Sequence, residues 1–157
     1  MIFNTKYKNK SIAAYDLQLK KGLTYNFLNI EKNKKIYKFE KSLILILAEN
    51  SLGFISTYFS FIQNNHSIML LSSSVSIAEL NETIKKFHPK IIVANKKRET
   101  NKIKFVINKI HSINNFNIFK THFKKKQKIH RKTILLLGTS GSTGNKKWVK
   151  LSKDNLT

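Results

Sequence analysis

Runs of four or five apolar residues recur along this chain, at 43–47, 68–71, 91–94 and, after a leading Thr, 133–137. Short, uninterrupted apolar runs are the mark of strands buried on both faces. Between them the period changes. Leu52, Ile55, Phe59 and Ile62 recur at helical spacing, so a helix is expected there, with Asn50 as its cap. Ser76 and Glu79 have the spacing of a capping box, opening a helix that runs to about Phe87 and stops before Pro89. Leu23-Thr24-Tyr25 opens an earlier helix with Thr24 as N-cap, and 11–16 reads as a short strand ending at Asp16. Ile103, Val106, Ile107 and Ile110 keep helical spacing, which predicts a further helix. Residues 114–132 are less regular, and the basic run 124–128 reads as a solvated connection.

Strands alternating with helices predict an α/β fold, a mostly parallel sheet flanked by helices. No internal repeat, Gly/Ser linker or composition shift marks a boundary, so 1–157 reads as one continuous unit.

Composition narrows the classes. At 157 residues, 41% hydrophobic and with 11 Phe, the chain can bury a core. It has no Cys, which removes disulfides and thiolate metal sites. No apolar run is long enough to span a bilayer, and the first residues lack the apolar stretch of a signal peptide, so a cytoplasmic location is the expectation. The formal charge of +22 raises nucleic acid or an anionic surface as an alternative partner. Of the basic residues, however, only Arg98 and Arg131 are arginine, the side chain that reads phosphates and bases bidentately. Lys, Asn and Ile are abundant together, as a base-composition bias in the gene would produce. Stacking platforms of a single-strand binder are not evident beside the lysine runs at 96–98 and 124–128.

The segment with the most chemistry follows the fourth apolar run. Gly138-Thr139-Ser140-Gly141-Ser142-Thr143-Gly144-Asn145-Lys146-Lys147 combines hydroxyl donors, glycines that let backbone amides converge, and two cations. At the carboxyl end of a strand, that set suits a polyanion, and a phosphate cradle is its best reading. A flexible turn between hairpin strands is the plainer reading, since 148–152 alternates like a strand, but such turns are commonly two to five residues long. It is not a Walker A loop: the place of that motif's second Gly holds Thr143, and Gly144 is followed by Asn145. It is not a Rossmann fingerprint either, since no Gly-x-Gly-x-x-Gly is present.

Residues 139–149 resemble the phosphate-loop signature of the AMP-forming acyl-adenylate synthetases, Thr-Ser-Gly-Ser/Thr-Thr-Gly-x-Pro-Lys-Gly-Val, and 151–156 are similar to the Leu-Ser-His-x-Asn-Leu that follows it. Weaker similarity extends upstream through Leu23-Thr24-Tyr25, Asn50, Tyr58, the strand to Leu71, and Ser76 to Pro89-Lys90. Two positions depart: Lys146 stands where the family has Pro, and Trp148 where it has Gly.

The resemblance implies 1–157 to be a partial AMP-binding (adenylation) domain ending just after the loop at 138–147, the incomplete N-terminal portion of the large domain. It implies an ATP-dependent ligase, with Mg2+, that activates a carboxylic acid as acyl-AMP for transfer to CoA or a carrier-protein thiol. The residues implied to hold the ATP phosphates are Thr139, Ser140, Gly141, Ser142, Thr143, Gly144 and Lys147. The segments for adenine, ribose, Mg2+ and the catalytic Lys have no counterpart in these residues. The isolated chain is therefore expected to be inactive, with the C-terminal portion as a possible separate partner chain. A helix is expected near Asp154. The five His residues show no convincing ligand spacing, and no metal site is assigned. Asp16, Glu40 and Glu49 read as surface or capping acids.

Overall fold

Leu43–Ala48 has no polar side chain on either face, so as a strand it must be covered from both sides. The computed structural model, which describes residues 10–123, 129–139 and 147–155, covers it in that way. In chain order the elements are β1 (Ile12–Asp16), β2 (Lys21–Thr24), α1 (Tyr25–Lys32), β3 (Leu43–Ala48), α2 (Leu52–Gln63), β4 (Ser67–Ser72), α3 (Ile77–Phe87) and β5 (Ile91–Asn95). There follow β6 (Val106–Ile113), β7 (Phe116–Thr121), β8 (Thr133–Thr139) and β9 (Lys147–Ser152). Seven strands form one sheet in the order β6-β7-β5-β3-β4-β8-β9, while β1 and β2 pair separately.

The four central strands β5, β3, β4 and β8 are parallel. The pairs β5–β7, β6–β7 and β8–β9, towards the two edges, are antiparallel. The sheet is thus parallel at its centre and mixed at its margins. Helix α2 covers one face, with Phe61 and Ile62 against Ile44, Ile46 and Val93. Helix α3 covers the other, with Leu80 and Ile84 against Leu43, Leu45, Leu47 and Ile92. Successive residues of β3 therefore enter opposite cores, which is why that strand is apolar throughout.

Local sequence explains the helix starts. The Thr24 Oγ1 accepts the Phe27 N–H at 3.2 Å, as expected. Ser76 Oγ accepts the Glu79 N–H at 3.1 Å, which is half of the expected capping box. For α2 the cap is Ser51, not Asn50: Ser51 Oγ accepts the Phe54 N–H at 3.3 Å. Helix α3 ends at His88, whose backbone is left-handed (φ 46°) just before Pro89.

The helix expected over Ile103 to Ile110 is corrected. Val106–Ile113 is a strand, paired with β7 through a two-residue turn at Asn114-Asn115. Asn114 has φ 49°, the positive angle that such hairpin turns favour at their first residue. Residues 116–121, within the stretch read as irregular, bury Phe116, Ile118, Phe119 and Thr121 as β7. Strand β2 is likewise an element that the apolar pattern did not announce. In place of a helix near Asp154, a single 3-10 turn spans Lys153–Asn155.

One buried polar cluster ties α1 to the sheet. The Glu31 carboxylate, almost fully buried, accepts the Tyr37 hydroxyl at 2.9 Å and lies 2.6 Å from Lys34 Nζ and 3.1 Å from His111 Nε2 on β6. Burial, then the neighbouring carboxylate, hold the Tyr37 phenol far above its ordinary range.

Candidate functional site

The loop singled out by the sequence joins β8 to β9. Ile68, Met69 and Leu70 of β4 pair in parallel with Leu135, Leu136 and Leu137 of β8. The chain therefore leaves β8 at the same end of the sheet at which it leaves β3, β4 and β5. In open α/β sheets that is the end where ligands bind. Strand β9 returns antiparallel, with Thr139 opposite Lys147 and Gly138 opposite Trp148. The register brings the two ends of the loop together and sets the Lys147 backbone beside the start of the hydroxyl-rich run. The plainer reading, a connection between hairpin strands, is thus correct as topology, although seven residues lie between the paired Thr139 and Lys147.

Of the predicted site residues, Thr139 ends β8 and the exposed Lys147 opens β9. Ser140, Gly141, Ser142, Thr143 and Gly144 lie outside the described residues, as do Asn145 and Lys146. Trp148, the bulky departure from the family pattern, is accounted for. Its ring meets Phe87 of α3 edge-on, with centroids 5.0 Å apart, and adds to the core on that face. Leu151 packs on the opposite core. After β9, Asn155 Oδ1 accepts both the backbone N–H and the hydroxyl of Ser152 at 2.8 Å, closing the 3-10 turn.

A second feature at this end of the sheet was not assigned from sequence. The chain leaves β3 towards α2 on one face. It leaves β5 towards Ile103, which packs in the core on the other face. The exits of two adjacent strands diverge, which opens a crevice at the topological switch point. Glu49, Ser73, Asn95, Lys97 and Arg98 line this space of about 230 Å3 together with Leu47. The Glu49 carboxylate accepts the Asn95 amide at 2.6 Å. The Arg98 guanidinium donates to the Ser73 and Val75 carbonyls and so binds the exit of β5 to that of β4. Glu49 is therefore a crevice residue rather than a simple cap. Sequence offered no signal for it, because Glu49 and Asn95 are 46 positions apart.

The histidines have structural surroundings. His66 is fully buried and its Nε2 donates to the Tyr37 carbonyl at 2.8 Å. Burial holds its pKa below the ordinary value. His111 faces Glu31, and His88 stacks on Phe123 with centroids 4.4 Å apart. Among the described residues no group of three His, Asp or Glu converges as a metal site would.

No protein-family model and no curated protein sequence matches this chain. Solved structures do. Apo MatB from Rhodopseudomonas palustris superposes with a TM-score of 0.68 at 16% identity, over 98% of this chain and 34% of that one. The O-succinylbenzoate coenzyme A synthetase MenE from Bacillus subtilis, solved in complex with AMP, gives 0.62 at 15% identity, over 91% and 39%. PA1221, an NRPS protein containing adenylation and PCP domains, gives 0.63 at 12% identity, over 90% and 29%. The chain spans about a third of the length of these proteins. At such identities the likeness is one of fold: this mixed sheet with helices on both faces is the fold of about a third of each of these chains.

Proposed function

We propose that the β8–β9 hairpin is the ATP phosphate-binding element of a ligase that activates a carboxylic acid as acyl-AMP, for passage to the thiol of CoA or of a carrier protein. The observation that carries this reading is one of place. The run from Thr139 to Lys147 begins at the carboxyl end of a parallel strand, in a fold shared with MenE solved bound to AMP and with MatB solved bound to ATP. In this reading the domain is 1–157, a partial adenylation unit, and 138–147 is its phosphate loop.

The chemistry then divides among named groups. The hydroxyls of Thr139, Ser140, Ser142 and Thr143 donate to phosphate oxygens. Backbone amides near Gly141 and Gly144 converge on the same anion. Lys147 brings a full charge to the β- and γ-phosphates, which depart as pyrophosphate when the carboxylate attacks the α-phosphorus. Stabilising that departing charge is electrostatic catalysis. Mg2+, when bound, supplies further neutralisation of the same phosphates. The groups assigned here face the leaving group, while those aimed at the α-phosphorus are not among them. The 157 residues alone are therefore proposed to bind polyphosphate without turning it over.

Calorimetry with ATP, GTP and tripolyphosphate, at low and high salt, tests this. The hairpin reading predicts weak binding of all three, fading with salt. Lys147→Ala should weaken it about tenfold through loss of a charge-assisted contact. Tight, salt-resistant, adenine-selective binding would contradict the division of labour proposed here, and unchanged affinity in the variant would remove Lys147 from the site.

A further inference from the structure

The β1–β2 hairpin stands apart from the main sheet and presents an apolar surface outward. Ala13, Ala14 and Leu23 on its inner side pack with Leu28 and Phe59. Ile12 and Tyr15 lie over Gly22 on the other side: a Cβ built there would meet the Ile12 side chain at 3.4 Å and the Tyr15 ring at 3.6 Å. Both are more than half exposed, at 58% and 51%, and at the turn Leu17 and Leu19 reach 82% and 58%. Four large apolar side chains within eight positions form a patch, not scattered surface residues. The same turn borders a cleft of about 420 Å3 in which Leu52, Phe54 and Ile55 continue the apolar surface.

The charges that flank this patch in sequence are of one sign. Lys10, Lys20 and Lys21 are exposed beside it. The only acid of the hairpin, Asp16, is committed to the turn, its Oδ1 accepting the N–H groups of Gln18 and Leu19 at 3.0 and 2.9 Å.

We propose that the β1–β2 hairpin docks the protein on an anionic lipid bilayer, with Leu17 and Leu19 inserted among the acyl chains and Lys10, Lys20 and Lys21 on the headgroups. Two observations select a bilayer over a protein partner. Leu17 and Leu19 stand out at the turn, 82% and 58% exposed, so they can enter a soft phase without a matching pocket on a partner. Exposed Lys20 and Lys21 at the turn and Lys10 before β1 match lipid phosphates, and the chain's net charge of +22 draws it to the same surface. Stable peripheral attachment needs two such signals, an apolar anchor and a basic patch, and the hairpin holds both. Among the described residues no helix is long and apolar enough to cross a membrane.

Co-sedimentation of the whole chain with phosphatidylcholine vesicles, with and without phosphatidylserine, tests the proposal. Binding should require phosphatidylserine and weaken with salt. The double variant Leu17→Ser, Leu19→Ser should bind at least about tenfold more weakly, with an unchanged circular dichroism spectrum. A Leu17→Trp variant should be quenched by brominated acyl chains beyond the level of wild type. The proposal is overturned if wild type ignores phosphatidylserine vesicles, if the double serine variant binds them as well as wild type, or if Trp at position 17 is not quenched. It is also overturned if sedimentation shows a dimer that the serine variant dissolves, since the patch would then be a self-contact.

Discussion

His66 shows how a single buried residue sets a property of the whole chain. It immediately precedes β4, shielded from water, with Phe39 and Phe61 against its ring and Tyr37 O accepting from Nε2. Charging it would bring a cation into an apolar site already near Lys90 and Lys41. The folded-state pKa therefore lies below the ordinary histidine value of 6.5. The unfolded chain takes up a proton near that value and the folded chain does not. The contribution of His66 to stability is thus complete above pH 6.5 and is lost as pH falls below it. The slope reaches at most about 1.4 kcal/mol per pH unit. Chemical denaturation at a series of pH values should show this loss as pH falls below about 6.5. In His66→Gln, which keeps a donor but cannot titrate, the loss should be smaller. An identical pH profile in the two proteins would show that His66 takes its proton as readily folded as unfolded.

At the scale of elements, close packing between α2 and β7 hangs on a glycine. A Cβ at Gly53 would stand 2.5 Å from the Phe116 ring, which is fully buried and cannot retreat. Helix propensity favours Ala over Gly by about 1 kcal/mol, but overpacking a rigid core costs about 1–3 kcal/mol. Gly53→Ala should therefore lower stability, or at best leave it unchanged, in urea denaturation. A clear stabilisation would mean that α2 and β7 do not approach so closely. The same elements show what was legible in the sequence. Strands β3, β4, β5 and β8 were plain because burial on both faces leaves uninterrupted apolar runs. Strand β6 was misread because Ile103, Val106, Ile107 and Ile110 fall at helical spacing by coincidence. Its real signals were the β-branched residues and the Asn114-Asn115 turn. Strand β7 passed as irregular because Phe119 and Lys120 reverse the alternation begun by Phe116, Asn117 and Ile118. Asn50 and Ser51 are adjacent cap-forming residues, and only the direction of a side chain separates them.

Across the whole molecule, the candidate loop's place at the carboxyl end of the fourth apolar strand was legible, while the strands beside it were not. Hydroxyls, glycines and lysines in order led to the proposal of an anion site. That the loop closes a hairpin beside the parallel centre of the sheet depended on the pairing of β8 with β4 and β9. The switch-point crevice of Glu49, Asn95 and Arg98 was illegible for the same reason, since it exists only once strands distant in sequence lie side by side. The net charge of +22 leaves a rival to the central claim, because polyphosphate could gather on lysines anywhere on the surface. Amide chemical shifts of the chain titrated with tripolyphosphate separate the two most directly. The account predicts saturable shifts concentrated on Thr139 to Lys147, the glycine amides of Gly141 and Gly144 foremost. Shifts spread over the lysine-bearing surface, with those amides unmoved, would contradict it.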